Sequence, residues 1–189
     1  LNAKDLGSKE DGADFQTVLI DETTNEIVVP NGTMGDRHTN PQKWNLRLEN
    51  RDTGAKIDPR LSVFDQREDV TVVKLPYFGD EEHEGVIERA IPTITVQTVD
   101  GPVKVTTVYD LILANYGIDR GIGGEVATSY TDDTPYTPTW QEKITGVKAD
   151  IAIATAREFA DNSEKTKGRS MIIMGGGINH WYHADVIYR

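Results

Sequence analysis

The sequence has no cysteine among its 189 residues. That excludes disulfides, and it excludes any cysteine-ligated metal held by this stretch alone. No apolar run approaches the length needed to span a bilayer, and Leu1 opens no signal-peptide pattern. Positive charge is also scarce: 20 Lys and Arg face 31 Asp and Glu, a formal net charge of −11. Nucleic-acid binding rests on clustered cations that neutralise phosphate, so it is not expected here. The acidity reads instead as solubility. There is no Ser-His-Asp set, no Walker loop and no paired-carboxylate pattern. The acidic run Gly79-Asp-Glu-Glu-His-Glu-Gly85 lacks the regular oxygen-ligand spacing of a calcium loop and reads as solvated. Asp132 and Asp133 likewise read as a solvent-facing loop pair.

What is present divides into a β-rich first part and a helix-containing second part. Residues 1–14 are polar and carry Gly7, Ser8 and Gly12, so a loose connector is expected. Residues 15–105 are expected to be mainly β. Phe15–Ile20 and Glu26–Val29 read as strands around the turn-rich Asp21–Asn25. Asn31-Gly-Thr33 fits a glycosylation sequon, but after Pro30 it reads as turn chemistry. Lys43–Glu49 alternates, with Trp44, Leu46 and Leu48 on one face. Asn50–Arg60 reads as a loop and Val70–Leu75 as a strand. Thr93–Val99 and Val103–Thr107 flank Asp100-Gly101, a hairpin signal, with Pro102 at a strand start.

In the second part Thr107 is placed to cap a helix through Val108, Leu111, Ile112 and Tyr116 that stops at Gly117. Asp119–Asp133 reads as a long loop. Pro138 suits the first turn of a short helix ending at Gly146. Ala149, Ile153, Ala156 and Ala160, with Phe159 beside them, form an apolar stripe at helical spacing, which predicts a longer helix packed on a sheet. Met171–Met174 is a short apolar run of the kind expected of a buried parallel strand. It leads into Gly175, Gly176 and Gly177, then into Ile178-Asn-His-Trp-Tyr-His183, which reads as a helix opening. Glycines remove the Cβ obstacle, and such a turn brings backbone close to a bulky anion. A glycine run after a strand also serves as a plain tight turn. His180 and His183, three apart, are too few for a metal site without further ligands.

The residues around that turn resemble respiratory nitrate reductase alpha subunits, which belong to the molybdopterin oxidoreductases. Similar in the same order are Val29-Pro-Asn-Gly-Thr-Met-Gly35, Lys43-Trp-Asn-Leu46, Pro76-Tyr-Phe-Gly79 and Val105–Gly117. Ala127-Thr-Ser-Tyr130, Tyr136–Val147 and Ala156–Asn162 continue the match. The Trp140–Phe159 stretch is similar to molybdopterin oxidoreductases in general, whereas Asn179-His-Trp-Tyr-His183 is particular to nitrate reductases. Gly176 stands where relatives often carry alanine.

The resemblance implies an α/β fold: part of a doubly wound, Rossmann-like sheet with an antiparallel β hairpin portion. Residues 106–189 would be the α/β part of the molybdopterin-binding domain. It implies a catalytic subunit that reduces nitrate to nitrite in anaerobic respiration. The cofactors would be bis-molybdopterin guanine dinucleotide, carrying molybdenum, and a 4Fe-4S cluster in the full-length subunit. This chain would be an internal stretch of it that binds neither alone. Gly175, Gly177, Asn179 and His180 are the expected cofactor-binding residues, while no catalytic or metal-ligating residue is expected. Partners would be a beta iron–sulfur subunit and a gamma membrane cytochrome subunit, at the cytoplasmic face of the membrane, with the stretch itself soluble. Two alternatives stand beside this reading: a related enzyme acting on another oxyanion or on formate, and a non-catalytic acidic binding domain.

Overall fold

A computed structural model describes residues 1–31, 47–77, 85–173 and 175–182. Expectations for Met34–Leu46, Gly79–Glu84, Met174 and His183 lie outside them. The architecture is mixed α/β, and its chain divides into two compact units, Leu1–Thr128 and Ser129–Arg189.

The first unit is built on an antiparallel meander. β5 (Asp69–Pro76), β6 (Val86–Thr98) and β7 (Gly101–Val105) lie in the order β5-β6-β7. β6 is central, and Arg89, Ala90, Ile91, Pro92 and Thr93 are buried in succession. Two small antiparallel pairs accompany it. β1 (Leu19–Ile20) joins β2 (Ile27–Val28), and β3 (Pro30–Asn31) joins β4 (Arg47–Asn50). The hairpin expected around Asp100-Gly101 is present, with Ile94 opposite Val105 and Val96 opposite Val103. Its turn is Val99-Asp100, one residue earlier than the Asp-Gly pair suggests, because Gly101 already pairs with Thr98.

β6 begins seven residues before the expected Thr93 start, and it runs through a proline. The backbone geometry explains why this is tolerated. The Thr93 carbonyl accepts from Glu68 N at 2.9 Å on the β5 side, so the neighbouring Pro92 turns its backbone the other way. On that side β7 begins pairing only at Ile94, and the missing N–H breaks no bond to β7.

α1 (Val108–Asn115) packs on β6. Thr107 caps it as expected, its hydroxyl accepting from Asp110 N at 3.0 Å, and Gly117 follows its end in the left-handed region at φ 67°. Arg89, fully buried under α1, donates from Nε to the Ala114 carbonyl at 3.1 Å.

Residues 1–14, expected to be loose, are folded. Ala3 and Ala13 are 1% and 3% exposed, and Ala3 N donates to Gln16 O at 2.9 Å. Asn2 and Asp5 cap each other's backbone N–H groups, and Asp5 O accepts from Val99 N at the hairpin tip. Two small methyls buried at long range carry little sequence signal, which is why composition alone suggests a linker here.

In the second unit, α2 (Pro138–Thr145) starts with Pro138 after the Thr137 cap and ends at Gly146, φ 75°. α3 (Ala149–Thr166) follows. Its first N–H is capped from α2: Glu142 Oε2 accepts from Ala149 N at 2.9 Å. Lys148 beside it and this backbone N–H hold the Glu142 carboxyl below the ordinary carboxylate range. Tyr136 and Trp140 meet edge to face, ring centroids 5.1 Å apart.

One expectation for this unit fails: Met171–Ile173 forms no strand. The sheets among the described residues are antiparallel. Met171, Ile172 and Ile173 are 77%, 72% and 82% exposed, so α3 covers no sheet containing them. The reason is physical. A strand exists only by pairing, and no described residue offers 171–173 a partner. α3 packs on α2 instead.

Gly124 tests the packing beneath β6. Its φ is +91°, and a Cβ there would stand 2.7 Å from Ala90 N and 3.1 Å from Arg89 Cα. Gly124→Ala is expected to destabilise by about 2–4 kcal/mol, combining backbone strain with overpacking. Gly121→Ala, also at positive φ (+70°) but facing open space, should cost only about 1 kcal/mol. Paired urea unfolding curves check the difference; equal losses would show that the Gly124 contact yields.

Candidate functional site

The expected site lies just past α3. Lys167 and Gly168 close the helix in the left-handed region, with Gly168 N bonded to Ser163 O at 2.7 Å. The Ser170 hydroxyl then donates to the Phe159 carbonyl at 3.0 Å and accepts from the Asn162 amide at 2.8 Å. These bonds fix where the chain leaves the helix. Beyond 171–173 comes α4 (Gly176–Asn179), a single turn that starts inside the glycine run, two residues before the expected opening. It is too short to carry an appreciable helix dipole.

Gly175, Gly177 and His180 are all exposed, and Asn179 ends α4. A Cβ added at Gly175 or Gly177 would meet nothing within 4 Å, and neither residue has a positive φ. The glycines are therefore not required by this backbone. Their value would be space, left open for a group that approaches the main chain. Gly176 differs: a Cβ there would lie 3.6 Å from His180 Nε2, which brings the imidazole over the glycine turn. Trp181 and Tyr182 are 70% and 88% exposed and take no part in a core. Among the described residues no group of three His, Cys, Asp or Glu is placed to hold a metal ion. The open glycine surface fits backbone contact with a bulky cofactor, and the donor set fits no metal ligation from these residues.

A second polar constellation escaped the sequence reading. Asp110, 1% exposed, accepts from Ser62 Oγ at 2.6 Å and Arg120 Nη1 at 2.5 Å through Oδ1. Through Oδ2 it accepts from Val63 N at 2.9 Å and Thr107 Oγ1 at 2.8 Å. Arg120 also donates to Ser62 Oγ at 2.9 Å. The Phe64 ring lies between two guanidiniums, Arg120 at 4.2 Å and Arg67 at 4.3 Å from its centroid. Every carboxylate lone pair facing these groups is used, so the cluster holds structure together and offers no free base. Its sequence signal was the Thr107-x-x-Asp110 spacing of a helix start. A concavity of about 520 Å³ between Ile20, Arg60, Glu68 and Ile94 gathers no comparable set. Its cation, Arg60, is engaged by Glu22 and Asn25.

No family model matches the chain. Among curated proteins it is 46% identical over 189 residues to the nitrate reductase alpha chain of Bacillus subtilis, covering all of this chain and 15% of that protein. To the respiratory nitrate reductase 1 alpha chain of Escherichia coli it is 45% identical over 202 residues, covering all of this chain and 16% of that one. The perchlorate reductase subunit alpha of Dechloromonas aromatica is 49% identical over 53 residues, 28% of this chain and 5% of that protein. The chain thus spans about one sixth of the length of the nitrate reductase relatives it matches.

The frame of the first unit is testable through acid. Burial alone pushes the Asp110 carboxyl up, but hydrogen bonds from Ser62, Val63 N, Arg120 and Thr107 outweigh it and hold the pKa below 3.8. A depressed folded pKa contributes stability above the unfolded value, and that contribution is lost as pH falls through the folded one. Unfolding free energy should therefore decline as pH drops below about 4. Asp110→Asn should weaken this decline and cost about 3–5 kcal/mol at neutral pH, the scale of breaking one side of a buried pair. Denaturant unfolding at neutral pH and below 4 checks both; an unchanged acid slope in the variant would remove Asp110 from the account.

Proposed function

We propose that this chain, which belongs to the nitrate reductase alpha chain family, forms part of the cofactor cradle of a catalytic subunit that reduces nitrate to nitrite. The observation that carries this reading is identity of 45–46% over matches that cover the whole chain. The shorter perchlorate reductase match keeps another oxyanion as the second reading, and the coverage favours nitrate.

The cofactor proposed is bis-molybdopterin guanine dinucleotide, which when bound supplies oxygen-atom transfer at molybdenum. This chain's part is positioning. Gly175 and Gly177 leave the main chain bare, and Asn179 and His180 are the polar groups offered to the pterin or its phosphates. The 4Fe-4S cluster must take its ligands from elsewhere in the subunit, since this chain has no cysteine. In the domain layout proposed, residues 15–105 are a mainly β portion and 106–189 belong to the molybdopterin-binding domain. There a doubly wound sheet would supply the strand neighbours that 171–173 lack, and the glycine turn would sit at the ligand-binding end of a strand. Beta and gamma subunits would hold the assembly at the cytoplasmic face of the membrane. No helix among the described residues is long and apolar enough to cross one.

Gly177→Val in the full alpha subunit tests the cradle. The backbone tolerates the change here: φ is not positive and the Cβ direction is open. Protein should accumulate normally, while molybdenum content drops and nitrate turnover falls on the order of 100-fold, the scale of a misplaced reacting group. Gly176→Ala should be mild, since a Cβ there would meet the His180 ring at 3.6 Å, an ordinary van der Waals contact. Full cofactor content and normal turnover in Gly177→Val would make the loop structural alone. The isolated chain should carry no stoichiometric molybdenum or iron by metal analysis.

A further inference from the structure

We propose that Asn162 and Ser170 are positioning residues for the cofactor: with Thr166 they clasp the chain to the side of α3 and set where the glycine turn begins. This rests on the reading above that Gly175 and Gly177 belong to the cofactor cradle. Closing the helix does not need them. Lys167 and Gly168 take the left-handed turn, and Gly168 N already donates to Ser163 O. Three more side chains, spaced four apart, are nevertheless committed to the two residues that follow. Arg169 N donates to Thr166 Oγ1 at 3.1 Å, and the Arg169 carbonyl accepts from Asn162 Nδ2 at 3.3 Å. The same amide donates to Ser170 Oγ at 2.8 Å, and that hydroxyl donates to the Phe159 carbonyl at 3.0 Å.

Phe159 lies seven residues before the helix end at Thr166, outside the last turn, whose carbonyls lack intrahelical partners. The Ser170 bond therefore satisfies no orphan of the helix. It holds residue 170 alongside the helix body, about two turns back from the end. Gly175 comes five residues later, within roughly 18 Å of extended chain. A swing at Ser170 passes to the turn, and a turn that meets its ligand through bare main chain has no long side chain to make up the difference. The clasp bonds are exposed, so water replaces them at little cost to folding and the clasp can open locally.

Molybdenum retention by the complete alpha subunit tests this. Ser170→Ala and Asn162→Ala should each release molybdenum about tenfold faster than wild type on dialysis, the factor set by one ordinary hydrogen bond. The urea midpoint of the cofactor-free subunit should stay unchanged. Ser170→Thr keeps the hydroxyl and should retain molybdenum like wild type. Wild-type retention in both alanine variants overturns the proposal. So does a midpoint that falls along with retention, since the clasp would then serve folding alone, and so does a threonine variant no better than alanine. Should Ser170→Ala fail to accumulate, Asn162→Ala, which keeps the bond to Phe159, decides by the same measurements; failure of both to accumulate counts against positioning. The two readings fail separately. Normal cofactor content in Gly177→Val sinks the cradle and this proposal with it, whereas molybdenum lost from Gly177→Val but not from the alanine variants sinks the clasp alone.

Discussion

One desolvated carboxylate organises the larger unit. Asp110 sits at the start of α1 with essentially no exposure, and an unpaired charge there would cost several kcal/mol. The chain offsets that cost by converging three separate segments on it: Ser62 and Val63 before the meander, Thr107 at the helix cap, and Arg120 beyond the helix. None of these groups is redundant, because each occupies its own lone pair. The arrangement orients more than it stabilises, since an apolar cluster of equal volume would bury as well. It fixes the first turn of α1, and α1 in turn lies over β6.

That orientation lets β6 carry burial that its sequence disguises. Glu88-Arg89 and Pro92 interrupt what is otherwise an apolar strand, yet Arg89 is fully buried. A guanidinium can sit there because its Nε reaches the Ala114 carbonyl near the end of α1, where intrahelical partners run out. The Ala114 carbonyl, which also accepts from Gly117 N at 2.9 Å, anchors the buried cation at the helix end. Gly124 completes the fit on the same strand, bringing main chain so close to Ala90 N that no side chain could intervene.

What the sequence made legible were features decided within a few residues. The Thr107 cap, the glycine stops at Gly117 and Gly146, Pro138 in a first turn and the β6–β7 hairpin all follow from local chemistry. What it hid depends on distant partners. Asp110 escaped notice because its partners Ser62 and Arg120 are 48 and 10 residues away. The expected strand began only at Thr93, whereas β6 runs through Pro92, and only the backbone direction at Thr93 shows that the missing N–H costs no bond to β7. Met171–Ile173 read as a buried strand because hydrophobic pattern reports what a segment would do beside a neighbour, not whether the neighbour is there. The glycine loop and His180 were found as sequence, and the structure adds that Gly175 and Gly177 answer no backbone need of their own.

The two units therefore stand in different energetic positions. The first pairs both oxygens of the buried Asp110 carboxylate and buries Val63, Tyr77, Ile87 and Ile91. The second relies on local devices: Glu142 capping Ala149, the left-handed Lys167 and Gly168, and exposed ion pairs such as Lys148–Glu142. Exposed pairs contribute roughly 0–1 kcal/mol each, and helices in water gain most of their stability from packing an apolar face. α3 has such a face and leaves it uncovered. The residues proposed to meet the cofactor follow directly from that helix. Their precision would then rest on the Ser170 clasp as well as on whatever covers α3, which places cofactor binding and subunit folding under the same constraint: a glycine turn can be held at a fixed distance from a ligand only if the segment before it is itself held.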